Sequence, residues 1–129
     1  MIKTSYFQPH QIQQTAQAML NRVEHFQHLH CNYFRWDRAA LLVLDMQAYF
    51  LDAASHAFLP AAPAIIEPLR QLAETFVHHH RPIILTQHVN TLDDAGQMRV
   101  WWHDLLTEDH PFIGLVDPFP SFPHHLIQK

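Results

Sequence analysis

Cysteine is almost missing from the 129 residues, with Cys31 the only copy. A lone thiol cannot form an internal disulfide, which fits the reducing environment of the cytoplasm. Charge is also scarce: only 16% of the residues are Asp, Glu, Lys or Arg, and the net charge is −4 with histidine neutral. A nucleic-acid partner needs a concentrated basic patch to neutralise phosphates, and none is visible, so nucleic acid is not expected as the main partner. No apolar run approaches the ~20 residues that span a bilayer. The opening Met1-Ile2-Lys3-Thr4-Ser5-Tyr6 lacks the apolar core of a signal peptide, so the expected location is the cytoplasm, away from membrane.

Apolar residues make up 48% of the chain, enough for one domain with a real core. Histidine is over-represented at 13 copies, including His78-His79-His80 and His124-His125. A metal site needs side chains that converge, whereas these fall at helix ends, in loops or on opposite helix faces, so most are read as solvated. Cys31 precedes the first strand and reads as an inert buried thiol, because a reactive one needs a basic neighbour or a helix amino terminus.

The chain is organised around Arg38-Ala39-Ala40-Leu41-Leu42-Val43-Leu44-Asp45, an unbroken apolar run ending on a carboxylate. Such a run reads as a strand buried on both faces, as in a parallel sheet covered by helices. Asp45 then lies at the strand's carboxyl end, where open parallel sheets bind ligands. It is either a functional acid or a cap for the following helix.

Ahead of this strand, Ile12, Ala16, Met19, Leu20, Val23, Phe26 and Leu29 recur at helical spacing, predicting an amphipathic helix over Gln11–His30. It forms an amino-terminal extension, residues 1–37, that packs on the main domain, residues 38–129, or on a partner subunit. After the strand, Pro63 and Pro68 mark the start of a second helix that ends near His78-His79-His80-Arg81 and Pro82. Ile83-Ile84-Leu85-Thr86 is a second buried strand, which makes a βαβ unit with the two strands parallel. The adjacent Trp101 and Trp102 read by default as core, and otherwise as the wall of a pocket. His124 to Lys129 looks like the opening of a third strand.

Four blocks in this order resemble the isochorismatase-like hydrolase superfamily, which includes the nicotinamidase-related cysteine hydrolases. They are Ala40-Leu41-Leu42-Val43-Leu44-Asp45-Met46-Gln47 with Tyr49-Phe50, then Arg81-Pro82-Ile83-Ile84-Leu85-Thr86-Gln87-His88. Asp94-Ala95-Gly96 with Trp101-Trp102 and finally Leu126-Ile127-Gln128-Lys129 complete the set. The resemblance implies a doubly wound, Rossmann-like α/β sheet of strand order 3-2-1-4-5-6, with strands one to three present here. It implies that Asp45 and Lys129 are catalytic, and that the substrate is a small amide, C–N or ester-like compound. Gln47 and Phe50 would line or brace the site, and His88 with Trp101 would shape the pocket.

In that family a cysteine attacks the carbonyl, the aspartate handles the thiol proton and the lysine favours the ionised forms. The family's cysteine follows strand four, beyond Lys129, so the resemblance implies an amino-terminal part whose open sheet edge is covered by another copy, as a homo-oligomer, or by further chain. Two alternatives stand beside it. One is a vinyl ether hydrolase using Asp45 as general acid; the other is an inactive truncated homologue acting through oligomerisation. Nicotinamidases of the superfamily bind zinc through an Asp-x-His after strand two. Only His88 matches, so neither a catalytic metal nor another cofactor is expected.

Overall fold

The computed structural model describes residues 3–26, 34–102 and 104–129. Three short apolar segments, β1 (Leu41–Val43), β2 (Ile83–Gln87) and β3 (His125–Gln128), form a parallel sheet in the order β1-β2-β3. Val43 lies opposite Leu85, and Leu85 opposite Leu126. The long helix α3 (Pro63–His78) is the crossover between β1 and β2, so the predicted βαβ unit is present.

Pro63 opens α3 where no N–H is needed, whereas Pro68 lies inside the helix and withholds one ladder hydrogen bond. Ala73 and Phe76, with Ile66, Leu69 and Val77, pack on Leu41, Val43, Ile83 and Leu85. Burying aliphatic side chains such as Ile83 and Leu85 contributes about 1.5–3 kcal/mol each, which fixes the sheet against the helix. The helix then stops on a left-handed residue, His80, with φ 52°. Its N–H bonds the Val77 carbonyl, and the Arg81 N–H bonds the Phe76 carbonyl, which together form a Schellman motif.

Three expectations need correction. The first strand is buried on one face only: Leu41 and Val43 are buried, but Leu42 is 53% exposed and Leu44 58%. α3 covers one side of the sheet, and among the described residues no helix covers the other. The continuous apolar run is that of a two-faced strand, with one face left bare. The amino-terminal helix, α1, spans Ile12–Val23 and continues as a 3₁₀ turn, Glu24–Phe26. It has no buried residue, and its first turn meets α3 across a shallow groove at Glu67, Pro68 and Gln71. The rest of the predicted helix, and Cys31, lie outside the described residues. The tryptophans are not core either. Trp101 closes the single-turn helix α4 (Met98–Trp101) and is 81% exposed, while Trp102 is partly exposed. One turn on the surface has no second layer to bury an indole against.

No described helix is long and apolar enough to cross a membrane.

Candidate active site

The chain leaves β1 through a left-handed residue, Asp45, with φ 49°. Asp tolerates this region better than most side chains, and here the conformation turns the chain sharply at the carboxyl edge of the sheet. The next helix, α2 (Ala48–Leu51), has Gln47 as its N-cap with no side-chain capping bond. Asp45 therefore does not cap it. Its carboxylate is engaged instead by Thr86, whose hydroxyl donates to Oδ1 at 2.5 Å, and by Lys129, whose Nζ lies 2.9 Å from Oδ2. Thr86 Oγ1 also accepts the Asp45 backbone N–H at 3.1 Å, so the two residues are locked reciprocally.

Lys129 comes from the far side of β2. Strands are spaced about 4.8 Å apart, so its extended side chain must span the middle strand to reach Asp45. Its backbone is set for this: the Lys129 N–H donates to Gln87 O, and its carbonyl accepts the Val89 N–H. Partial burial by itself would raise the Asp45 pKa. The hydrogen bonds from Thr86 and Lys129, with the lysine charge and a smaller contribution from His88, outweigh it and hold the carboxyl below its ordinary value. The acid is ionised at neutral pH, and half of the Lys129 side chain stays open to solvent.

Gln47 is fully buried beneath this edge and satisfied on every side. Its amide donates to the carbonyls of His88 and Ile113 at 3.0 and 2.9 Å, and its Oε1 accepts the His88 N–H at 2.8 Å. It braces two loops and does not line the cavity. That cavity, about 240 Å³, is lined by Asp45, Tyr49, Phe50, His88, Asn90, Trp102 and Leu106. One carboxylate thus faces a mostly aromatic and aliphatic wall, the composition of small-molecule sites.

Behind the wall sits a polar cluster. The Tyr49 hydroxyl accepts the Trp102 indole N–H at 2.6 Å and lies 2.7 Å from His56 Nε2 and 3.3 Å from Asp104 Oδ2. His110 Nε2 lies 3.4 Å from the same Asp104 oxygen. Burial holds the Tyr49 phenol above its ordinary pKa; the Trp102 hydrogen bond opposes this and the Asp104 charge adds to it. Asn90 exchanges bonds with Leu106, its Oδ1 accepting the Leu106 N–H at 3.0 Å and its own N–H donating to Leu106 O at 2.7 Å.

Of the residues singled out from sequence, Asp45 and Lys129 meet, Phe50 and His88 line the cavity, and Gln47 lies under it. Trp101 does not line it; its place is taken by Trp102, and Trp101 borders a separate surface groove with His56 and Leu59. Thr86, Tyr49, Asn90 and Leu106 were not anticipated as site residues. Thr86 had a usable signal, because it is the polar residue that closes an apolar strand directly beside Asp45.

No protein-family model and no curated protein matches the sequence. Solved structures do. A cysteine hydrolase from Pseudomonas syringae pv. phaseolicola superposes with a TM-score of 0.64 at 19% identity, over 74% of this chain and 48% of that one. The N-carbamoylsarcosine amidase of Thermoplasma acidophilum gives 0.57 at 22% identity, over 70% and 50%. The pyrazinamidase of Pyrococcus horikoshii, solved in complex with zinc, gives 0.56 at 20%, over 70% and 50%.

The fold of this chain is the one these three structures share over the superposed part, a parallel sheet flanked by helices. The chain spans about half the length of each of them. Zinc does not fit what is described here: among the described residues no group of three or more His, Cys, Asp or Glu converges on one point. A protein zinc site needs at least three ligands, and at the cavity His88 is a single imidazole.

Proposed function

We propose that this chain supplies the aspartate–lysine part of an isochorismatase-like hydrolase that cleaves an amide, C–N or ester-like bond in a small substrate. One observation carries the reading: the Lys129 ammonium lies 2.9 Å from an ionised Asp45 at the carboxyl edge of a parallel sheet, beside an apolar cavity. In this reading the nucleophile is a thiol that the described residues do not include. Asp45 takes the thiol proton, and the sulfur forms a bond to the carbonyl carbon. When the C–N or C–O bond breaks, Asp45 returns that proton to the leaving group, and water then hydrolyses the thioester. Lys129 keeps Asp45 ionised and favours the thiolate. Phe50, His88 and Trp102 bound the substrate, and Gln47 holds the two loops that carry His88 and Ile113.

The bare sheet face at Leu42 and Leu44 supports burial against a second copy or against further chain of the same fold. Light scattering over a concentration series separates these, since only self-association gives a mass that rises with concentration.

The test is hydrolysis of small amides, N-carbamoyl compounds and esters by the product of the gene's complete reading frame. The reading expects turnover of at least one of these classes, and an Asp45→Asn variant that folds but loses about a hundredfold or more in kcat, the scale of a proton-transfer residue. Full activity in Asp45→Asn contradicts it.

A further inference from the structure

The Asp45 carboxylate is held by two side chains of different kinds. Lys129 is a flexible ammonium, half open to solvent, that approaches Oδ2. Thr86 is buried and branched at Cβ, which leaves its side chain little rotational freedom in a strand. We propose that Thr86 is the positioning residue of the site: its hydroxyl fixes the Asp45 carboxylate by Oδ1, so that Oδ2 meets Lys129 and the acid stands ready to take a proton beside the cavity. The catalytic consequence rests on the hydrolase reading; the hold on the carboxylate does not.

Two hydrogen bonds carry the assignment. Thr86 Oγ1 accepts the Asp45 backbone N–H at 3.1 Å and donates its own proton to Oδ1 at 2.5 Å, so one hydroxyl grips a single residue by main chain and by side chain. The grip acts where the backbone needs it, because Asp45 is left-handed at φ 49°, a region that costs a residue with a Cβ free energy. Among the described residues Thr86 Oγ1 makes no other hydrogen bond, so its proton has one destination. Lysine alone would leave the carboxylate free to turn about its Cβ–Cγ bond, since an ammonium attracts either oxygen equally. Thr86 makes the two oxygens unequal.

The same bond bears on the proton equilibrium. Burial alone would raise the Asp45 pKa; the Thr86 hydroxyl heads the interactions that bring it below its ordinary value, followed by Lys129 and, more weakly, by His88. Of the other groups about the acid, the Tyr49 phenol lines the same cavity and is uncharged at neutral pH, its pKa raised by burial. A neighbouring hollow, where Asp45 meets Leu44, Phe50, Leu51 and Ile65, brings no other ionisable group to it. Removing the hydroxyl therefore moves the carboxyl titration to higher pH.

NMR titration of the Asp45 carboxyl carbon, in the complete gene product and in Thr86→Val, Thr86→Ala and Thr86→Ser, reads this without turnover. We expect the midpoint to move to higher pH in Thr86→Val and to stay with the parent's in Thr86→Ser, which keeps the hydroxyl. Thr86→Ala, which lets water reach the Asp45 N–H, replaces Thr86→Val if circular dichroism shows that valine does not fold, and the same rise is expected of it. On a substrate that the parent hydrolyses, kcat should fall about tenfold to a hundredfold without the hydroxyl, with KM little changed, and recover in Thr86→Ser. An unmoved carboxyl titration in the folded variant that lacks the hydroxyl overturns the proposal, as does a kcat equal to the parent's. If the parent hydrolyses nothing, the hydrolase reading fails, and the carboxyl titration still decides whether Thr86 holds Asp45.

Discussion

Lys129 reaches across the whole width of β2 to place its Nζ 2.9 Å from Asp45 Oδ2, and Thr86, on the strand between them, closes the same carboxylate from below at 2.5 Å. The carboxyl ends of all three strands therefore meet here: the chain leaving β1 carries the carboxylate, β2 supplies Thr86 and the residue after β3 supplies Lys129. Any change in strand register would separate them, since a one-residue slip sends Thr86 to the other face of the sheet.

This arrangement makes part of the fold's stability depend on acid. Asp45 titrates below its ordinary value of 3.8 in the folded chain. A depressed carboxylate contributes stability above its unfolded pKa and loses it as pH falls through the folded pKa, so the loss is expected below about pH 4. Urea midpoints measured from neutral to acid pH should show this fall, and Asp45→Asn should flatten it.

Gln47 is the buried brace of the site. Gln47→Leu leaves the His88 N–H and the His88 carbonyl without their partner, at about 1–3 kcal/mol for each group that water cannot reach, while the Ile113 carbonyl keeps Gln87 Nε2 at 3.0 Å. We expect a loss of about 3 kcal/mol in chemical denaturation, with the unfolding slope unchanged.

His80 predicts a gain. It occupies the left-handed position of a Schellman motif that glycine fills without a Cβ penalty. His80→Gly should stabilise the chain by about 0.5–1 kcal/mol, read as a higher melting temperature.

Tyr49 ties the cavity wall to the cluster behind it. Tyr49→Phe removes the acceptor of the Trp102 indole N–H, and because Trp102 is partly exposed, water replaces part of the loss. The expected cost is about 1 kcal/mol, accompanied by a red shift of tryptophan fluorescence as the indole loosens.

Much of the frame was legible because its signals are local. The apolar runs at Leu41 and Ile83 and the three- and four-residue spacing through Ile66, Leu69, Ala73 and Phe76 give a strand, a helix and a strand from periodicity alone. The pairing of Asp45 with Lys129 was legible only through the family resemblance, since composition places nothing beside a lone acid. What escaped depends on tertiary context. Whether Leu42 is buried is decided by what lies over the sheet, and the residue itself is the same either way. Whether Trp101 or Trp102 faces the cavity depends on where a single turn of helix begins, and one residue's shift turns an indole by about 100°. Tyr49 and Asp104 meet only once α3 and β2, which separate them in sequence, have folded into place.

The most direct measurement is the pH dependence of kcat/KM for the complete gene product and for its Lys129→Met variant. If Asp45 is the base and Lys129 keeps it ionised, the acid limb of the wild-type profile lies below the ordinary carboxylate value and moves to higher pH in Lys129→Met, with lowered activity throughout. An acid limb that stays where it was in Lys129→Met, at undiminished activity, contradicts the account.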